Sequence, residues 1–410
     1  MSNFGSLPGD IIATSGVYPG IIFMQPLDRT GGYKLYEGDV VDNVNALGTS
    51  LIRLELSPDQ SRLLARTTSA PFVRLYRMDG SAPWYVDPPV SVAGQSSRGH
   101  WHPSGTEFAV GHATSPFVTR FDASTLAHLP AFLTSPPFGS VGDVKYSPDG
   151  TMLAVAHEGS SSSINSPGYA IYDLATGDLV PGLPPLPNTN AHAIGWSPDS
   201  STLVMQQRTS ANVCQRLDLA TMTMTPIAGV LSGGSTVTNK YVRFNPSGSL
   251  VAITRANSPF LHVVDTSTWA SITLGISLSS TPTDIRWVDD DVLIVAQNGG
   301  AVLAVDYSTG SGVLLGSSVG AGSCTAFDVR PAVRRKFAGT VTDGASNPLE
   351  RAVRIVDRAS GREIGRTVSD PSDGTFEVVV FSPNPAIAYC VGDGTELTKL
   401  EDAVTPVPIV

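Results

Sequence analysis

Between residues 50 and 331 short apolar and polar runs recur every 43 to 50 residues. Each unit opens on a strand-like segment with period-two alternation: "LIRLEL", "VGDVKY", "HAIGW", "KYVRF", "TDIRW". A turn follows, at "SPDQ" (57–60), "HPSG" (102–105), "SPDG" (147–150), "SPDS" (197–200), "NPSG" (245–248) and a degenerate "VDDD" (288–291). Next comes a nearly continuous apolar run, "RLLAR", "EFAVG", "MLAVA", "TLVMQ", "LVAIT" or "VLIVA", and then a third run ending in aspartate, such as "YAIYD" or "FLHVVD". Short strands repeating at this period are the signature of propeller blades. In the first strands Leu56, Trp101, Tyr146, Trp196, Phe244 and Trp287 share one column, with Leu54, Val144, Ile194, Val242 and Ile285 two residues earlier on the same face. Large residues in such columns are read as packing between neighbouring sheets and not as a ligand cage.

The chain ends complete the pattern. Residues 10–39 supply second, third and fourth strands with no first strand before them, and "CTAFDVRPAV" (324–333) supplies a first strand with no second. Joining them predicts an all-β fold: a seven-bladed β-propeller over 1–331 whose closing blade is shared by 10–39 and 324–331, which removes the open sheet edge. A six-bladed ring with loose ends is the alternative. Beyond "RPAVRRK" (330–336) the period is lost, and turns at "DGASNP", "RASG" and "DPSDG" predict a small β-sandwich over 332–410. The three charges of "RRK" read as a solvated linker.

Composition narrows the class. The 410 residues include 40 Gly and 31 Pro, and only 15% are charged, which suits many turns and short strands. A net charge of −10 argues against nucleic acid as a partner. No apolar run approaches the roughly 18–20 residues a membrane helix needs, and "MSNFGSLPGDIIATSG" lacks the basic and apolar regions of a secretory signal. Cys214, Cys324 and Cys390 are far apart and odd in number, which fits reduced thiols and offers no metal spacing.

The units carrying Ser-Pro-Asp-Gly before an apolar strand resemble the WD-repeat-like superfamily, although the Trp-Asp dipeptide of strict WD repeats is absent. The order Gly339-Thr-Val-Thr-Asp343, Asn347-Pro348, Arg351, Ser369-Asp370 and Asp373-Gly374-Thr375-Phe376 resembles carboxypeptidase-regulatory-like, transthyretin-like modules, which are non-catalytic. With Tyr389, Val391 and Val404-Thr405-Pro406, it is similar to modules of tailed-bacteriophage virion proteins. That resemblance implies a non-enzymatic structural or interaction protein of the tail, tail tip or baseplate. Such a protein is made in the host cytoplasm, sits in the virion, binds other virion proteins and is present in several copies of a symmetric assembly. A host-surface or glycan-binding attachment protein, a propeller hydrolase or lactonase, and a cytoplasmic scaffold are the other readings.

Candidate chemistry is sparse. Thr67, His112, His157, Gln207, Arg255 and Gln297 form a polar column at the ends of the second strands. It reads either as a ring lining a ligand or partner face, or as strand ends reaching water. "EGSSSSINSPG" (158–168), with Ser161, Ser162 and Asn165, lengthens one loop on that face and is expected to be mobile and exposed. His100 and His102 of "HWH" stand as substitutions within the repeat, His102 for the turn serine and His100 where other units hold Lys145, Arg243 and Arg286. "DDD" (289–291) and "DPSDG" (370–374) coincide with turns, which favour Asp for local backbone bonding over calcium ligation. No catalytic, metal or cofactor motif is apparent, so no catalytic residue, metal or cofactor is assigned.

Overall fold

A computed structural model describes residues 11–15, 20–24, 51–59, 61–67, 73–77, 85–86, 98–113, 115, 117–132, 140–158, 168–186, 191–207, 213–231, 240–255, 257–272, 274–287, 289–297, 301–319, 324–329, 334–342, 347–357, 363–381, 386–391 and 407–408. Regular structure among them is all β, in small antiparallel sheets of three or four strands with a propeller-like order. β1 (Ile11–Ser15) pairs with β2 (Gly20–Met24). Sheet 1 is β3 (Leu51–Leu56), β4 (Arg62–Thr67), β5 (Val73–Arg77) and β6 (Tyr85–Val86). Sheet 2 is β7 (Gly99–Trp101), β8 (Glu107–Gly111) and β9 (Val118–Asp122), and sheet 3 is β10 (Ser140–Tyr146), β11 (Met152–Glu158) and β12 (Tyr169–Asp173). Sheet 4 is β13 (Ala191–Trp196), β14 (Thr202–Gln207), β15 (Val213–Asp218) and β16 (Thr223–Leu231). Sheet 5 is β17 (Val242–Phe244), β18 (Leu250–Thr254), β19 (Leu261–Asp265) and β20 (Ala270–Ile272). Sheet 6 is β21 (Pro282–Trp287), β22 (Val292–Gln297), β23 (Ala301–Asp306) and β24 (Val313–Val319).

Among the described strands β25 (Cys324–Val329) joins neither of its neighbours in the sequence. It pairs with β1 instead, in the register Ile11↔Val329, Ile12↔Asp328 and Ala13↔Phe327. Each first strand packs against the first strand of the next sheet, and β25 packs against both β21 and β3.

The core lies between sheets, and this explains the sequence pattern. Leu203 and Met205 belong to a cluster with Ala154, Tyr169 and Ile171 of sheet 3. Val204, between them in β14, faces Val242, Val251 and Ile253 of sheet 5. Both faces of a second strand are therefore covered, so it reads as an unbroken apolar run. A single Leu→Ala change in such a run costs about 2–5 kcal/mol. Gly195 is required where β13 meets β17: a Cβ there would lie 2.7 Å from the Val242 carbonyl oxygen.

The Ser-Pro-Asp turns are built by their own side chains. The hydroxyls of Ser57, Ser147 and Ser197 donate to the aspartate two residues on at 2.5 Å. The same oxygens accept the N–H of Arg62, Met152 and Thr202 at 2.9 Å. In sheet 5 Asn245 replaces the serine, and its Oδ1 accepts from Leu250 N–H at 2.9 Å.

A second recurrent turn follows the third strand. Carboxylates of Asp122, Asp173, Asp218 and Asp265 accept backbone N–H groups two or three residues ahead. Four residues after each aspartate the backbone is left-handed, at Leu126 (φ 59), Gly177 (φ 77), Met222 (φ 51) and Trp269 (φ 57). A left-handed non-glycine residue costs about 1–2 kcal/mol. Met222→Gly is therefore expected to raise stability by about 0.5–1 kcal/mol. Trp269→Gly should lower it, because that ring packs on the core between sheets 4 and 5 and lies 4.4 Å from the Arg216 guanidinium. Urea denaturation reads both, and an unchanged or lower midpoint for Met222→Gly contradicts the strain argument.

The remaining strands are β26 (Arg334–Thr340), β27 (Ala352–Asp357), β28 (Glu363–Val368), β29 (Thr375–Phe381), β30 (Ala386–Val391) and β31 (Val407–Pro408). They form two three-stranded sheets, β29-β26-β31 and β28-β27-β30. "RRK" is not the solvated linker expected of it: Arg334, Arg335 and Lys336 begin β26 and pair with Phe381, Val380 and Val379.

Candidate functional site

The first strands converge at the centre, where side chains bond the backbone of neighbouring first strands. The indole Nε1–H of Trp101 donates to the Glu55 carbonyl at 3.1 Å, that of Trp196 to the Lys145 carbonyl at 3.0 Å, and that of Trp287 to the Arg243 carbonyl at 2.9 Å. The three tryptophans thus join neighbouring sheets, as their column in the sequence implies. Backbone N–H groups are met in the same way. Ile194 N–H donates to Asp143 Oδ2 at 3.2 Å, and Tyr146 N–H to His100 Nδ1 at 3.2 Å. With Nδ1 accepting, His100 carries its proton on Nε2, which faces Glu55 Oε1 at 3.3 Å. Burial, with Lys145 and Arg243 nearby, holds His100 well below the usual imidazole value, so this is a hydrogen bond from a neutral ring.

A charged network crosses the centre. Arg98 of sheet 2 pairs with Asp143 of sheet 3 at 2.8 Å, donates to the Lys240 carbonyl beside sheet 5, and lies 4.9 Å from the Tyr241 ring centroid. Arg286 of sheet 6 pairs with Asp284 at 2.6 Å and donates to the Leu54 carbonyl of sheet 1 at 3.0 Å. Lys145 Nζ lies 3.9 Å from Glu55 Oε2. Burial, then Arg243, pushes the Lys145 ammonium down to about 7. Burial raises Asp143, but Arg98, Lys145 and Arg243 outweigh it and keep the carboxyl below its ordinary value.

Where the first strands run into their turns, the centre opens. A cavity of about 480 Å³ is lined by Glu55, Arg243 and Arg286, by Trp196, Phe244 and Trp287, and by turn prolines including Pro58, Pro148, Pro198 and Pro246. A smaller one of about 300 Å³ shares Glu55 and Arg243 with it and adds His100, Lys145 and Tyr146. Three of these polar positions share the column in which sequence reading placed His100 as a repeat substitution. Asp328 of β25 holds the equivalent register.

The polar column at the other end of the strands lies inside the fold. His112, His157, Gln207, Arg255 and Gln297 are buried, between 0% and 6% exposed. They are not strand ends reaching water. His112 Nε2 meets Thr119 Oγ1 at 2.9 Å, Arg255 Nη1 lies 3.4 Å from His262 Nε2, and Gln297 Oε1 accepts from Ser279 N–H at 2.9 Å and Ser280 N–H at 3.1 Å. Strand-end polarity here serves local bonds inside the fold. Thr67 pairs with Leu51, and its side chain lies outside the described residues, as do Ser161, Ser162 and Asn165.

Burial makes the histidines acid-sensitive. It holds His112 down to about 3, with Arg66 and His128 adding, and holds His157 and His262 down to about 4, Arg255 adding to the latter. An unfolded histidine titrates at about 6.5. Between about pH 6.5 and 4 the unfolded chain therefore binds protons that the folded one excludes. Stability is full above that window and falls as pH drops through it, by on the order of 1 kcal/mol per pH unit for each histidine. Urea midpoints at pH 7.5, 6 and 5 should decline steadily, and less steeply in His157→Gln. A flat profile down to pH 4 contradicts this.

The other candidates resolve locally. His102 bonds Ser104 Oγ at 2.7 Å and the Gly150 carbonyl at 2.9 Å, away from the partners of His100. Asp289 accepts from Val292 N–H at 2.7 Å, and Asp370 and Asp373 accept from Ser372 and Thr375 N–H at 2.7 and 2.8 Å. These aspartates hold turns.

No family model matches the chain, and no curated protein sequence matches it. Among solved structures it is similar to Kuenenia stuttgartiensis hydrazine synthase, with 17% identity over 63% of this chain and 76% of that one and a TM-score of 0.49.

Proposed function

We propose that the chain is a seven-bladed propeller over 1–331, followed by a carboxypeptidase-regulatory-like sandwich over 332–410. It acts as a non-enzymatic structural and interaction protein of a tailed-phage virion, in the tail, tail tip or baseplate. The observation that carries the architecture is the antiparallel pairing of residues 11–15 with 324–329, which joins the two ends of the repeat array. Closure yields a rigid disc whose turns present flat faces to partners, and rigid faces lower the ordering cost of binding. The virion assignment is supported by the resemblance of 337–406 to phage modules, whose strand order is compatible with the two small sheets. Other virion proteins are the partners, met through shape and surface polarity, with several copies per particle.

Mass spectrometry of purified particles from the source tests this. The protein should be recovered at a constant ratio to the tail components. Its absence from particles, when it is abundant in the same lysate, contradicts the proposal.

A further inference from the structure

We infer that the central cavity is a binding site for a small organic oxyanion, a carboxylate or phosphate monoester carried on an apolar body. This depends on the first strands and the turns that follow them, and not on any virion role. The charges there are unevenly matched. Arg98 is held by Asp143, Arg286 by Asp284, and Glu55 is engaged by His100 and Lys145. Arg243 differs from them. Its Nε is buried and has no hydrogen-bond partner among the described residues, and the half-buried side chain lines the cavity. Its nearest charged neighbours include a second cation, Arg286, with the carboxylates of Glu55, Asp284 and Asp143 already engaged.

A buried guanidinium nitrogen without an acceptor is destabilising on its own, since a buried polar group costs free energy unless it is hydrogen-bonded. The same group is the side chain best shaped for forked bonding to a carboxylate or phosphate. The walls set the rest of the ligand. The indole N–H groups of Trp196 and Trp287 are occupied by the Lys145 and Arg243 carbonyls, so these rings offer only apolar surface. With Phe244 and the prolines of four turns they line an open cavity of about 480 Å³, at the size of a small-molecule pocket.

The test is thermal unfolding of the full chain with phenyl phosphate, benzoate or inorganic phosphate at millimolar concentration, against chloride at matched ionic strength. Phenyl phosphate or benzoate is expected to raise the midpoint in a saturable way. In Arg243→Met and Arg243→Gln the apparent affinity should fall at least about tenfold, while the unliganded variants stay as stable as the parent or become more so. That opposite sign separates a ligand-binding arginine from one that merely supports the fold. Inorganic phosphate matching phenyl phosphate would keep the oxyanion and overturn the apolar body. No shift beyond chloride with any probe, or equal shifts in parent and both variants, overturns the site.

Discussion

Deletion of residues 1–24 is expected to abolish the single cooperative unfolding of the repeat array and leave a chain prone to aggregate. β1 is the only described partner of β25 within its sheet, and β2 completes that sheet. Without them β25 keeps its packing on β21 and β3 but presents a bare edge, a template for pairing with other chains. The loss exceeds the strands removed. Sheets in such an array are stabilised mainly by neighbours, and the two flanking first strands lose the closing contact together. Domains of this kind are stable by only about 5–15 kcal/mol, so a loss of about 5 kcal/mol suffices to unfold much of the population at 37 °C. Circular dichroism and light scattering of the truncated chain check this. A soluble product with the parent's sharp transition contradicts it.

The second large effect is at Asp143. Its Oδ2 accepts from Arg98 at 2.8 Å and Ile194 N–H at 3.2 Å, and its Oδ1 accepts from Val144 N–H at 3.1 Å. One fully buried carboxylate thereby ties sheets 2, 3 and 4, and through Arg98 reaches sheet 5. Asp143→Ala leaves the Arg98 guanidinium buried without its counter-charge, which costs about 3–5 kcal/mol. Asp143→Asn keeps an acceptor and should cost less. The double variant Asp143→Leu with Arg98→Met removes both charges and is expected to recover much of the stability. Failure of the double variant to improve on Asp143→Ala contradicts the charge argument and points to packing instead. Denaturant midpoints decide it.

How much of this is readable in the chain depends on distance along it. The Ser-Pro-Asp turns, the aspartate-led exits and the two-faced apolar strands depend on residues two to five apart, so their chemistry is written locally. The tryptophan column was legible because the repeat superimposes residues about 45 apart. The central network was not. Arg98 meets the Lys240 carbonyl and Arg286 meets the Leu54 carbonyl only because the array curls back on itself. His100, Lys145, Arg243 and Arg286 stood visibly in one column, but nothing in the pattern said that the column converges. The burial of the polar column of His112, His157 and Gln297 was hidden for a related reason. Strand-end polarity usually signals water, and here neighbouring segments supply the partners. Arg334–Lys336 read as linker because three successive charges hide a strand whose pairing partners, Phe381 to Val379, lie more than 40 residues away.

The central claim is that the ends of the repeat array meet, and a cysteine pair tests it most directly. Ala13→Cys and Phe327→Cys, at facing positions of β1 and β25, are placed in a chain whose Cys214, Cys324 and Cys390 are replaced by serine. Val144→Cys with Val155→Cys, facing positions in β10 and β11, serves as the control pair. Mild oxidation of the monomer should give an intramolecular disulfide joining positions 13 and 327, identified by peptide mass and by altered mobility without reductant. A folded monomer in which the control pair links and the 13–327 pair does not would contradict the closed ring.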